Sequence, residues 1–411
     1  MKRLIILCDD YSANYLDALF QAHRNGSDQP TTKVLWGVVF NMLVVQRKVF
    51  IVLDALDESK TREAVLEWIK DMVSRPELVH VQLLLTGRPE SEFLRDIPPL
   101  IGKQNCLGLD KQAVTSDIRS WVTAQLSQRR DFTKKSLSQS LMNEIRKRIG
   151  DGAEGMFRWG FCQLDSLARC RHEEDIGKAL ETLPQDLDKT YERMFESIAT
   201  ELKNDAIRLL QFLVYSKQSL TLAEVKETDI LAYCPSVVTV HTRYGELHLA
   251  HFSVKECLLE YNSFKIMTVS ISITKTCLIY LTDINGSARE MRRYFPLARY
   301  AAEVWTYHAA LIQADEEIIG MTVGFLEGEA TFERWARLYQ GDMSYLKSSR
   351  LYYAYFSRLL VPARNFIGKG ADVNTQGGQY GNALQAVSQA GHLAIVKLLL
   401  DKGAYANTQG G

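Results

Sequence analysis

Three carboxylates in the stretch Val49 to Glu58, VFIVLDALDE, are the residues of this chain best suited to chemistry. Asp54, Asp57 and Glu58 follow directly on a run of apolar residues, which is how a buried parallel strand ends at a nucleotide site. A carboxylate where such a strand leaves the sheet holds Mg²⁺ through water, and Asp57 or Glu58 then orients an attacking water. The pattern is that of a Walker-B motif. The same residues also fit a core strand followed by an acidic helix N-terminus, where the macrodipole favours Asp and Glu without any chemistry. Arg88 is the next candidate. It follows a second apolar run, Val81 to Thr86 (VQLLLT), in the turn Gly87, Arg88, Pro89, Glu90. A guanidinium beside Asp54 is placed to sense a γ-phosphate; the plain alternative is a surface arginine before a proline turn.

The element that must position these groups is a βαβ unit. Between the two apolar runs, Ala64, Val65, Trp68, Ile69 and Met72 recur at helical spacing, predicting a helix over Thr61 to Val73 and a right-handed crossover that sets the ends of two parallel strands side by side. Before Val49 the pattern predicts helical pieces over Tyr11 to His23 and Thr31 to Val45, separated by Asn25, Gly26 and Pro30. A phosphate-binding loop of the form G-x-x-x-x-G-K-[ST] is missing from the sequence. The Gly-Lys pairs, at Gly102, Gly177 and Gly368, are not followed by Ser or Thr, and all lie after the acidic strand.

DALDE followed by LLLTGRPE resembles the NACHT ATPases of the signal-transducing, NLR-like class. The resemblance is strongest to the fungal NACHT proteins with ankyrin repeats, whose NACHT region is described as nephrocystin-3-like. It implies Walker-B roles for Asp54, Asp57 and Glu58, with Asp54 on Mg²⁺, and a sensor-1 role for Arg88. Gly87 departs from the serine expected there. In that family the phosphate loop lies upstream, so the chain is expected to begin inside the ATPase domain.

Composition sets outer bounds. With 46% hydrophobic and 24% charged residues the chain of 411 is ordinary for a soluble globular protein, with room for two to four domains. Lys+Arg 49 balances Asp+Glu 49, so no global field draws nucleic acid or an anionic membrane. The basic cluster from Arg129 to Arg148 is interleaved with Leu141, Ile145 and Ile149 and reads as a solvated helix face. Seven dispersed cysteines without a C-x-x-C pair point to reduced thiols and a cytoplasmic setting. Neither Leu4 to Cys8 nor Val34 to Val45 is long enough for a signal core or a membrane span.

Past Asp110 the pattern turns helical. Asp117, Ile118, Trp121, Val122 and Leu126 mark one helix, and Leu141, Ile145 and Ile149 another. GMFRWGFCQLDSLARC marks a third, with Met156, Phe157, Phe161, Leu164 and Leu167 as an apolar stripe read as core. Leu183 to Leu187 opens a helix containing YERMFESI. The last two segments resemble the helical region after the ATPase core of the fungal NACHT proteins. Residues 204 to 262 have winged-helix proportions: a helix from Ala206 to Tyr215, a short helix from Ala223, and strands Val237 to His241 and Glu246 to Ala250. No basic recognition helix follows. LAHFSVKECLLE resembles the H-x-S-x-x-E-[FY]-L ending of NLR winged-helix domains, which implies that His251 approaches the β-phosphate of bound ADP; Cys257 stands where an aromatic is usual. The alternative for His251 is a capping or core histidine. The connection from Lys226 to Asp229 is shorter than the family implies. Phe264 to Tyr355 is helical, with Tyr300, Val304, Trp305, Phe332, Trp335, Leu338 and Tyr339 packing helix against helix.

KGADVNTQGG at Lys369 recurs as KGAYANTQGG at Lys402, and a period of 33 residues with GNALQAVSQAGHLAIVKLLLDKGA between is that of an ankyrin repeat. Gly391 is expected to cap helix Ala383 to Gln389, Ile395, Val396, Leu398, Leu399 and Leu400 to form the stacking face, and Pro362 to Ile367 to be the second helix of a degenerate repeat. Asn382 and Gln385 replace the threonine and histidine of T-P-L-H. The array reads as cut short.

The expected fold is therefore mostly α with a partial α/β NACHT core: core residues 1–109, a helical domain 110–203, a winged helix 204–262, a helical segment 263–355 and ankyrin repeats 356–411. The expected function is that of an NLR-like signalling or scaffold protein with an incomplete NACHT module and protein-binding repeats, without catalysis by this chain. Cofactors are none for the chain itself, with ATP or ADP and Mg²⁺ implied for the intact family. Partners are proteins through the repeats and a homo-oligomer in the intact family, with no nucleic acid and no membrane. Two alternatives stand beside it: a nucleotide-switched ATPase whose phosphate loop is on an upstream segment or a partner, and a non-functional fragment.

Overall fold

The structure, a computed structural model, describes residues 13–23, 28–216, 218–225, 236–241, 243–340, 349–377, 381–389 and 393–406. It is mostly helical, with two small sheets, and divides into two compact units, residues 1–110 and 111–411.

In the first unit β1 (Val49–Leu53) and β2 (Val81–Leu85) run parallel and in register, Val49 opposite Val81 through Leu53 opposite Leu85. The helix Arg62–Ser74 joins them, and its Leu66, Ile69 and Met72 are buried. Alternate strand residues Ile51, Leu53, Leu83 and Leu85 pack with that helix, with Phe40 and Leu43 of Thr32–Val44 and with Phe93 of Ser91–Ile101. Phe40 stacks on Trp68 with ring centroids 6.2 Å apart. The other strand face, Phe50, Val52 and Leu84, is exposed. The expectation of a buried parallel strand is thus corrected: these helices cover one face, so burial alternates with the two-residue period of the pleat.

The second unit opens with the helices Lys111–Gln128, Gln139–Gly152, Phe157–Arg169, Glu173–Glu181 and Leu187–Glu196. They share a core that includes Ile118, Val122, Ile145, Ile149, Trp159, Leu164 and Leu167. The expected stripe on Phe157–Arg169 needs correction. Leu164 and Leu167 are buried, but Met156, Phe157 and Phe161 are exposed, and the buried arc instead takes in Trp159, Gly160, Cys162 and Gln163. The buried side is where Trp159, Leu164 and Leu167 join the core of the neighbouring helices, and there Gln163 Nε2 donates to Thr190 Oγ1 at 2.9 Å.

Helix Lys203–Tyr215 begins three residues before the expected start. β3 (Val238–His241) and β4 (Glu246–Leu249) form an antiparallel hairpin, Val238 opposite Leu249, and Thr221 bridges to Glu246. Residues 222–225 form a turn where a short helix was expected to open, and the connection from Lys226 to Asp229 lies outside the described residues. Helices Ile266–Asp283, Leu297–Leu311, Glu316–Glu327 and Glu329–Gln340 follow. Tyr300, Trp305, Trp335 and Leu338 are buried among them, and Trp305 meets Trp335 edge to face at 5.3 Å.

The C-terminal end repeats in space as it does in sequence. Helices Arg350–Phe356 and Leu360–Gly368 recur 33 residues on as Ala383–Gln389 and Leu393–Asp401. Both second helices end in the same cap. Ala371 N–H donates to Phe366 C=O and Ala404 N–H to Leu399 C=O, each at 3.0 Å, and Gly370 and Gly403 take the left-handed φ of 88° and 84° that this cap requires. Ile395 and Leu399 are buried, whereas Leu400 turns to solvent and leaves the expected stacking face. Gly391 lies outside the described residues.

Candidate functional site

The parallel ladder continues past both strands. Thr86 N–H donates to Leu53 C=O at 3.0 Å, and Leu56 N–H donates to Thr86 C=O at 2.9 Å. Between them Ala55 turns the chain with φ 53°, a left-handed conformation that costs a non-glycine residue about 1–2 kcal/mol. Register does the rest. Asp54 stands opposite Thr86, whose hydroxyl accepts the Ala55 N–H at 2.9 Å and donates to Asp54 Oδ1. The Asp54 carboxylate is held at the strand exit while remaining exposed.

Asp57 is placed differently. Its side chain is only 7% exposed, Oδ1 accepts the Arg88 backbone N–H at 3.0 Å, and Oδ2 lies 3.4 Å from Arg88 Nε. Its carbonyl accepts from Arg62 Nε at 3.0 Å, and Arg62 Nη1 pairs with Glu92 at 2.9 Å. The Glu92 carboxyl is held below the ordinary range first by its own backbone N–H and then by Arg62. Glu58 is exposed, and the Arg88 side chain is half exposed. A Cβ at Gly87 would meet Asp57 Oδ1 and Leu56 at 3.4 Å, so the turn has room for a small side chain. The structure therefore gathers Asp54, Asp57 and Arg88 at the carboxyl ends of two parallel strands.

The donor set fits part of a nucleotide site. Asp54 can meet a water-bound cation through the edge that Thr86 leaves open, and Arg88 can meet an anion. The consecutive backbone donors and lysine that cradle phosphates have no counterpart among the described residues. Among those residues no three His, Cys, Asp or Glu side chains gather as a metal centre, and no helix is long and apolar enough to cross a membrane.

His251 belongs to the second unit. It caps helix Phe252–Glu260, its Nδ1 accepting the Ser253 N–H at 3.2 Å, which is the capping alternative of the sequence reading. Behind it runs a chain of hydrogen bonds. Arg158 Nε donates to the Tyr191 hydroxyl at 3.2 Å, Tyr191 lies 2.8 Å from Ser253 Oγ, and Ser253 Oγ lies 2.7 Å from His251 Nδ1. Arg158 also donates to Ser236 C=O at 2.6 Å. Ser236 Oγ donates to Asp165 at 2.6 Å, and Asp165 is further paired with Arg129 and Arg169. Burial pushes the Asp165 carboxyl up, but the hydrogen bonds from Ser236 and Arg129 and the charge of Arg169 outweigh it and hold the group below the usual range.

Thr86 and Arg62 were not legible as site residues. The available signal was positional: a hydroxyl residue 32 positions after Asp54, matching the register of the strands.

Residues 2–88 match the family model described as "Nephrocystin 3, N-terminal". Over 298 residues the chain is 30% identical to azaphilone pigments biosynthesis cluster protein L of Monascus ruber, a match that covers 57% of this chain and 63% of that protein. The chain thus spans less than two thirds of the length of that curated relative. No solved structure matches.

Proposed function

We propose that this chain is a NACHT-like scaffold protein of the NLR-like class, with an incomplete nucleotide module in its first unit and protein-binding ankyrin repeats at its C-terminal end. The observation that carries the reading is the Thr86–Asp54 and Asp57–Arg88 pair of contacts at adjacent strand ends, the site at which α/β folds bind ligands. The nephrocystin-3-type match over the same residues and the 33-residue helix-pair repeat support it. We infer no catalysis by this chain by itself, because Walker-B acids orient Mg²⁺ and water but cannot hold a triphosphate without backbone donors and a lysine. Purified chain is expected to release no phosphate from ATP; turnover that disappears in Glu58→Gln would overturn the reading.

The exposed carboxylates of Asp54 and Glu58 favour one second reading, a nucleotide switch completed by a phosphate loop on another segment or partner. One hydrogen bond from His251 contributes roughly 0.5–1.5 kcal/mol, far from the roughly 8 kcal/mol of a micromolar site. Calorimetry with ADP separates the two readings. The chain alone should bind weakly and without regard to His251→Ala, whereas binding created by adding a phosphate-loop segment and weakened by His251→Ala would establish the switch.

A further inference from the structure

At the far end of the helix that His251 caps, a cavity of about 440 Å³ opens where helices Leu187–Glu196, Lys203–Tyr215 and Phe252–Glu260 converge. Its volume lies within the ordinary range of small-molecule sites. The floor is apolar and belongs to the core: Leu210, Leu258 and Phe264 are buried beneath it. The wall is aromatic, Phe195 and Tyr261 meeting edge to face with centroids 6.3 Å apart. The rim carries two exposed carboxylates, Glu192 and Glu196, against one ammonium, Lys203.

The rim charge is net negative, two carboxylates against one ammonium. Burial pushes the Tyr261 hydroxyl up to about 12, and the neighbouring Cys257 thiol together with Glu192 and Glu196 adds to the shift. Cys257 rises to about 11, first through burial and then through the charges of Asp188 and Glu192. Both groups thus stay neutral at physiological pH. Behind the wall, Gln211 Nε2 donates to the Ser263 carbonyl at 2.7 Å, while its buried Oε1 has no hydrogen-bond partner among the described residues.

We propose that this cavity binds a small organic cation with an apolar body, of the alkylammonium class. The alkyl body covers the Leu210, Leu258 and Phe264 floor, the cationic head lies against the Tyr261 and Phe195 rings, and Glu192 and Glu196 neutralise it at the rim. An anionic or purely apolar ligand of the same length lacks the second and third of these contacts. The site is separate from the strand-end cluster and does not depend on the nucleotide reading.

Titration of the full chain with octylammonium, octanol and octanoate below their aggregation limits, followed by amide chemical shifts, tests the assignment. Octylammonium should bind about tenfold more tightly than octanoate, with shifts at Tyr261 and Phe264. The double variant Glu192→Gln, Glu196→Gln changes only exposed side chains; it should remove that preference and leave octanol binding where it was. Equal or tighter binding of octanoate, or a preference unchanged in the double variant, would overturn the proposal. So would a lysine-bearing amphipathic peptide that shifts the same residues while octylammonium does not, since the groove would then be a protein-docking surface. Ile207 also lines the cavity, and Ile207→Trp, which fills it, should abolish binding of octanol and octylammonium alike; binding that survives it places the ligand elsewhere and overturns the proposal.

Discussion

Asp57 grips Arg88 twice, once at the backbone N–H and once at the guanidinium, and so ties the turn after β1 to the turn after β2. A buried carboxylate spent on a neighbouring turn is a positioning group. Asp57→Ala should leave the Arg88 amide without its acceptor, at about 1–3 kcal/mol, and open the turn locally. Hydrogen exchange at the Arg88 amide should accelerate in this variant and remain near wild type in Glu58→Ala, whose carboxylate is exposed. Equal acceleration in the two variants would show that the grip has no structural weight.

Legibility in the sequence followed the strength of the local pattern. β1 was readable from five consecutive apolar residues and β2 from an apolar run broken only by Gln82, each followed by turn residues. Their one-sided burial was not, since it depends on where three helices pack. Helix Ser91–Ile101 was missed because Pro98 and Pro99 fall inside it and neither donates a backbone hydrogen bond. The Phe157–Arg169 stripe misled because apolarity does not say which side a neighbouring helix will contact. There Arg158, Asp165 and Arg169 are drawn to Ser236, and Phe157 and Phe161 are left outside with Trp121. The 33-residue period was legible because KGA…NTQGG recurs, whereas the exposure of Leu400 was not.

The chain ending at His251 makes a spectroscopic prediction. The Ser253 N–H donates to Nδ1, so a neutral His251 ring must carry its proton on Nε2. Nitrogen-15 spectra of the imidazole should show a pyridine-like Nδ1 and a pyrrole-like Nε2. Tyr191→Phe removes the hydroxyl that supports Ser253 Oγ and should broaden or shift the Nδ1 resonance while the tautomer persists. A protonated Nδ1 in the neutral ring would exclude the Ser253 N–H bond that caps the helix.

Asp165 makes a prediction in pH. Its folded carboxyl lies below its unfolded value of about 3.9. The group therefore adds stability throughout the range above that value, and the contribution disappears as pH falls through the lower folded value. Urea midpoints measured between about pH 7 and about pH 3 should fall more steeply on the acid side for the wild-type chain than for Asp165→Asn. The variant should also be less stable at neutral pH, because Arg129 and Arg169 lose their shared partner. Coincident acid limbs would mean that other carboxyls dominate the acid response.

Asn374 couples one helix pair of the repeat to the next. Its Nδ2 donates to Gly403 C=O at 3.1 Å and its Oδ1 accepts the Tyr405 N–H at 2.8 Å, so one amide holds both sides of the cap that ends helix Leu393–Asp401. In stacked repeats stability is approximately a sum of unit and neighbour terms. The last pair has Leu393, Leu400 and Tyr405 exposed, and is held by the packing of Ala383, Ala386, Val387, Ile395 and Leu399 into the core shared with the preceding helices and by this coupling. Asn374→Ala should destabilise residues 393–406 by about 0.5–1.5 kcal/mol without altering exchange in β1. Hydrogen exchange on the full chain resolves the two regions separately. Protection of Leu399 that is equal to that of Ile51 in the wild type, or unchanged in Asn374→Ala, would show that the last pair is held by something other than the preceding repeat.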